Sequence, residues 1–127
     1  MPKIEALEAS ALSETQSTPG IARHLAFKSE DRLVVRSRVD PGRVSGWHHH
    51  GDYDVYGYLV SGSVRFENGP GERETVSLGR GDFFHVPPHT VHREINPSPD
   101  EGQEVILFLS GTGPLVVNRT VQSGPSE

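Results

Sequence analysis

The sequence predicts an all-β domain, a sandwich or a barrel. Three observations carry that expectation. From Ile21 onward the chain is a series of short apolar runs. Turn signals separate them at intervals of roughly eight to twelve residues, the spacing of β-sandwiches and barrels. The 14 glycines and 10 prolines fall mostly between runs, where they end strand pairing rather than interrupt it. At 127 residues the chain is expected to form one domain whose core hides most of its apolar surface.

Residues 1–20 are expected as an N-terminal arm. Ile4, Leu7, Ala11 and Leu12 have the spacing of one short amphipathic helix, with a frayed arm as the alternative. Residues 13–20 are polar, end in Pro19-Gly20 and read as a linker. The β domain is expected over 21–121. Its first strand is 21–27. The second, 32–39, puts Val35 and Val39 on one face and Arg36 and Arg38 on the other. Asp40-Pro41-Gly42 then turns the chain, because proline presets φ and glycine permits the conformation that follows. A strand over 44–50 runs into Gly51-Asp52, and one over 55–60 into Ser61-Gly62.

Strand 63–67 leads to a reversal at Asn68-Gly69-Pro70-Gly71, and 75–78 to another at Gly79-Arg80-Gly81-Asp82. Strands 83–86 and 90–95 flank the Pro87-Pro88 corner, and 96–102 is a loop. The most apolar strand is 105–109, followed by a turn at Gly111-Thr112-Gly113-Pro114 and a last strand, 115–117. Residues 122–127 are expected to be a disordered tail. Strand 55–60 is apolar on both faces: Val55, Gly57 and Leu59 on the inward one, Tyr56, Tyr58 and Val60 on the other. Such a strand requires cover on both sides, from a neighbouring strand or from another subunit.

Composition excludes several function classes. Twelve Lys and Arg against 17 Asp and Glu give a formal charge of -5, which argues against a nucleic-acid partner and against an anionic membrane surface. Cysteine is absent, so thiolate metal sites, iron–sulfur clusters and thiol nucleophiles are ruled out within the chain. The N-terminal stretch lacks an apolar run with basic flanks and is not expected to act as a secretory signal. No apolar run approaches the roughly 18 residues of a membrane span, so a cytoplasmic protein is expected.

Six of the seven histidines lie between positions 48 and 92. In an extended strand His48 and His50 point to one face and His49 to the other. Two converging neutral imidazoles are the start of a transition-metal site. With no cysteine, the other ligands must be histidine, carboxylate or oxygen.

Two ordered motifs carry a family resemblance. Gly42, His48, His50 and Gly62 resemble the first motif of the cupins. Gly81, Pro87, His92 and Asn96 resemble the second, with His89 replacing a glycine usual there. The resemblance covers roughly residues 32–117 and implies a double-stranded β-helix, a jelly-roll barrel in which both motifs meet around one metal. The family's glutamate ligand stands seven residues before the closing glycine; here that position is Val55. Asp54 is one residue early and on the opposite face of a regular strand, unless a bulge re-aims it.

The resemblance therefore implies His48, His50 and His92 as ligands of one divalent transition metal (Fe, Mn, Ni, Zn or Cu), with Asp54 as a secondary fourth ligand. Tyr53 is a further oxygen donor. Three imidazoles leave open coordination positions. The implied function is a metal-dependent enzyme, oxygenase-like, acting on a small organic molecule in an apolar pocket, with His85 or Tyr53 moving protons. Without the glutamate the centre is more positive and favours an anionic chelating substrate. Two alternatives stay open: a non-catalytic module that binds a small ligand or metal, and a metal-assisted isomerase or lyase. For His85 the competing role is a partly buried core histidine. His49 is expected in a structural role or exposed, His89 at the surface, and His24 carries no signal. Family habit and the two-faced strand 55–60 together imply a homodimer.

Overall fold

The computed structural model describes residues 2–69 and 74–119. Eleven strands make up almost all of its regular structure: β1 (Ser13–Glu14), β2 (Ala22–Lys28), β3 (Arg32–Val39), β4 (His48–His49), β5 (Asp54–Ser61), β6 (Ser63–Asn68), β7 (Glu74–Gly79), β8 (Phe83–Val86), β9 (His92–Ile95), β10 (Gln103–Ser110) and β11 (Val117–Asn118). They form two antiparallel sheets. One runs β1-β2-β3-β10-β5-β8 and the other β11-β4-β9-β6-β7. From β3 onward the chain crosses repeatedly between them, the jelly-roll connectivity expected of a double-stranded β-helix. No described helix is long and apolar enough to cross a membrane.

Alternation builds the core. β10 lies between β3 and β5 and sends Val105, Leu107 and Leu109 inward, where they meet Leu33 and Val35 of β3 and Val55 and Leu59 of β5. Val64 and Phe66 of β6 close the core from the opposite sheet. The corner between β5 and β6 depends on Gly62: its φ is +79°, and a Cβ there would stand 2.6 Å from the Gly102 carbonyl oxygen.

Three elements differ from expectation. Residues 4–12 hold one 3-10 turn, Ala9–Ala11, instead of an amphipathic helix. Ile4 is 98% exposed and no side chain caps the turn, so the segment has neither the packing nor the cap that sustains so short a helix. Residues 13–20, expected as a linker, join the barrel: β1 pairs with β2, Thr18 is buried, and Gln16 Oε1 accepts hydrogen bonds from the Leu115 and Val116 amides. The strand expected over 44–50 shortens to His48–His49. Ser45 Oγ accepts the Glu94 amide, and the Gly46 amide donates to Pro19, so regular pairing starts only at His48. Pro70-Gly71 and the tail at 122–127 lie outside the described residues.

The outward side of β5 is uncovered by any described strand. Tyr56 is 51% exposed, Phe108 beside it on β10 52%, and Phe83 on β8 74%.

Candidate metal centre

β4 and β9 are neighbours in the second sheet, and their single register pair is His48 with His92. That pairing carries two residues 44 positions apart to one spot. His50 follows β4 by one residue and reaches the same side by parity, before Gly51 turns the chain with φ +58°. All three side chains are buried. The ring centroids lie 4.3 Å apart for His48 and His92, 5.2 Å for His48 and His50, and 5.3 Å for His50 and His92. One ligand nitrogen from each falls within 4.8 Å of the others, so the three histidines can hold a metal ion.

Hydrogen bonds decide which nitrogens are offered. Each Nδ1 lies against a backbone carbonyl: His48 against Gly46 at 3.0 Å, His50 against Leu115 at 3.1 Å, His92 against Thr90 at 2.8 Å. A carbonyl only accepts, so each Nδ1 carries the proton and donates. Burial, the neighbouring histidines and Arg23 hold the imidazoles neutral: His50 falls to about 3, His92 to about 4, and His48 also moves strongly down. A neutral ring protonated at Nδ1 leaves a bare lone pair on Nε2. His48 Nε2 is buried with no protein partner. Buried, neutral imidazoles with their Nδ1 protons fixed outside are the donor set a divalent transition metal requires, and the residues fit such an ion.

Asp54 is not brought to this set. β5 continues its regular alternation through Asp54 and Val55, so Val55 points in and Asp54 out. Outside, the Asp54 carboxylate pairs with His85 Nε2. His85 is carried by β8, and its ring stacks on Tyr56 at 4.6 Å, on the exposed side of the sheet rather than toward the triad. Tyr53 is a core residue, its hydroxyl donating to the Gly113 carbonyl at 3.3 Å. His49 faces away from the triad and accepts the Gly51 amide at Nδ1. His89 adopts φ +57° where glycine is usual, and pairs with Asp52 at the surface. Asn96 is structural: its amide nitrogen donates to the Val39, Asp40 and Glu101 carbonyls and so ties the loop after β9 to the end of β3.

Two charged residues that the sequence reading passed over share the chamber. Glu94 follows His92 by two positions and therefore faces inward with it; burial lifts its carboxyl to about 7. Arg23 shares an inward parity with Ile21 and Leu25, and it is buried. A lone charge on an otherwise apolar strand face was the signal available. The inner chamber is about 10 Å³, roughly one water. An outer cleft of about 210 Å³ opens beside it, and Phe66, Phe84, Val86 and His92 line both.

A family model described as "Cupin domain" matches residues 35–103, which is more than half of the chain. The chain belongs to the cupin family. Solved structures agree. KdgF from a Halomonas species is 30% identical, with a TM-score of 0.64 over 84% of this chain and 94% of that one. An RmlC-like cupin from Shewanella frigidimarina is 22% identical, with a TM-score of 0.66 over 87% and 93%. Oxalate decarboxylase from Bacillus subtilis is 18% identical with a TM-score of 0.73, and this cupin spans 33% of its length. The last two likenesses concern the fold alone. No curated protein shows a significant sequence match.

Proposed function

We propose that this cupin is a metal-dependent enzyme acting on a small organic molecule, with His48, His50 and His92 as the ligands of one divalent transition metal. The observation that carries this reading is the tautomer lock: three backbone carbonyls hold Nδ1–H and leave the Nε2 lone pairs free, on three rings whose ligand nitrogens come within 4.8 Å of one another. When bound, such a metal supplies Lewis acidity and, if it is iron, access to dioxygen chemistry. The protein's own part is to bind and to exclude water. Phe66 and Phe84, with ring centroids 4.8 Å apart, line both the outer cleft and the inner chamber, and their bulk there favours a narrow substrate. Three neutral ligands leave coordination positions for a substrate oxygen, which supports an oxygenase-like reaction as the first choice.

A second reading, a metal-assisted isomerase or lyase, is favoured by the acidic and basic side chains, Glu94 and Arg23, in the same chamber. Oxygen uptake distinguishes the two. Untagged protein is analysed for metal, reloaded with ferrous iron and offered small keto acids, phenols and diketones. Uptake coupled to substrate loss supports the oxygenase; turnover that persists without oxygen supports the second reading. Bound metal unchanged in His48→Ala would sink both.

We also propose a homodimer through the outer face of β5, β8 and β10, where Tyr56, Phe83 and Phe108 are exposed together. Light scattering of wild type and Phe108→Glu tests it: a monomeric wild type refutes it.

A further inference from the structure

β2 lies outside both cupin motifs, yet it delivers Arg23 into the metal chamber. The side chain is 2% exposed, a rare state for a guanidinium without a full set of partners. Nη1 donates to Thr18 Oγ1 at 2.8 Å, and Nε is buried with no protein acceptor. An unpaired buried donor is costly, and more so when charged. Burial lowers its pKa from 12.5 to about 10, so the group is still charged at neutral pH.

The chamber's own acidic side chain does not pair with it. Glu94, 5% exposed, faces the same chamber and attracts Arg23 electrostatically. Among the described ion pairs, none joins them. A cation and a carboxyl thus line one small chamber with no salt bridge between them, beside His50 and His92. The charge balance points the same way. With Val55 where the family has a carboxylate, neutral ligands alone would surround a divalent metal, and Arg23 adds a further positive charge. Among the described residues, Glu94 is the one acidic side chain that lines the chamber.

We infer that Arg23 anchors the carboxylate of a small anionic substrate in the metal chamber, with its unpartnered Nε–H as a donor to a carboxylate oxygen. This inference rests on the function proposed above and names its substrate class. A guanidinium suits the role, since it is a planar donor set matched to a carboxylate. The inner space, about one water in size, would receive no more than a carboxylate oxygen, and the rest of the molecule would lie in the apolar outer cleft between Phe83, Phe84 and Leu78.

The test compares carboxylates with uncharged counterparts: acetate, glycolate and pyruvate against acetamide and glycolamide, titrated calorimetrically into untagged wild type, Arg23→Lys and Arg23→Gln. Metal content is measured on every sample, and each titration is repeated after chelator treatment. The expected result is a carboxylate preference of about tenfold or more in wild type. Arg23→Gln should abolish it at unchanged metal content, with Arg23→Lys between. The preference should survive, weakened, in chelated wild type. Equal affinity for acids and amides in wild type would overturn the proposal. So would an undiminished preference in Arg23→Gln, or a preference that vanishes on chelation alone, since the carboxylate would then sit on the metal. If Arg23→Gln does not fold, the wild-type contrast with and without chelator and the Arg23→Lys titration still decide the matter. A wild type that never binds metal would refute the metal-dependent reading while leaving the acid–amide comparison to judge Arg23.

Discussion

His48 and His92 are register partners across β4 and β9, and their rings stand 4.3 Å apart although 44 residues separate them. The candidate metal centre therefore depends on a short strand pairing. His48 has its Nδ1 tied to Gly46 and His92 to Thr90, each carbonyl two residues back. Replacing His92 by Ala removes one donor from three and leaves two imidazoles that cannot enclose an ion. Affinity for zinc, measured by competition with a chelator dye, should fall at least about 100-fold, or ~3 kcal/mol. The far-UV circular dichroism should be preserved. Unchanged affinity would remove His92 from the centre.

Parity on β5 yields a paired prediction about carboxylates. Asp54 points outward to His85, and both side chains are more than a third exposed, so solvent screens the pair to at most ~1 kcal/mol. Asp54→Asn should leave bound metal unchanged. Val55 points inward and is fully buried. Val55→Glu should destabilise the metal-free protein, because a carboxyl without a partner enters the core, and should restore stability when metal is added. Thermal unfolding with and without zinc checks both. Metal loss in Asp54→Asn, or indifference of Val55→Glu to zinc, would contradict this assignment of faces.

The same alternation explains how much of the molecule was legible in its sequence. Inward runs such as Val105, Leu107 and Leu109 announce strands directly, and the strand at 32–39 falls where its alternation puts it. His48, His50 and His92 were legible because two of them share a strand face and the third stands in a second ordered motif. Arg23 showed only as a lone charge on an apolar strand face, and what that face covers is set by tertiary packing, in which β2 pairs with β3 and β3 with β10. The shortening of β4 was equally illegible. It depends on Ser45 Oγ taking the Glu94 amide from a strand 49 residues away. Residues 4–12 misled in the other direction, with helical spacing but nothing to pack against.

Buried histidines make the metal-free protein sensitive to acid. In the fold His50 and His92 stay neutral down to about 3 and about 4, and His48 is depressed as well, while in the unfolded chain they protonate near 6.5. Below 6.5 the unfolded chain therefore binds more protons, and stability falls as pH falls. Glu94 acts in the opposite sense: raised from 4.5 to about 7, it keeps its proton in the fold where the unfolded chain has released it, so its contribution falls as pH rises. Three imidazoles outweigh one carboxyl, each group changing stability by up to ~1.4 kcal/mol per pH unit. Urea midpoints of chelator-treated protein should rise between about pH 5 and about pH 6.5. Glu94→Gln should steepen that rise. A flat profile would mean that the imidazoles are not held neutral by burial.

The boundary between outer cleft and inner chamber rests on a glycine. Phe84 lies directly across Gly57 of β5, and a Cβ at Gly57 would stand 2.1 Å from the ring's Cζ. The ring itself fills that space, so a methyl at Gly57 forces the ring to move. Gly57→Ala should cost about 1–3 kcal/mol in denaturant unfolding and displace Phe84 from its contact with Phe66. The cost should largely disappear in a Phe84→Ala background, where the added methyl enters the room the ring has left. A double-mutant cycle reads this as a coupling between the two positions. Additive costs would show that Phe84 does not depend on Gly57, and that something else sets the width of the chamber's entrance.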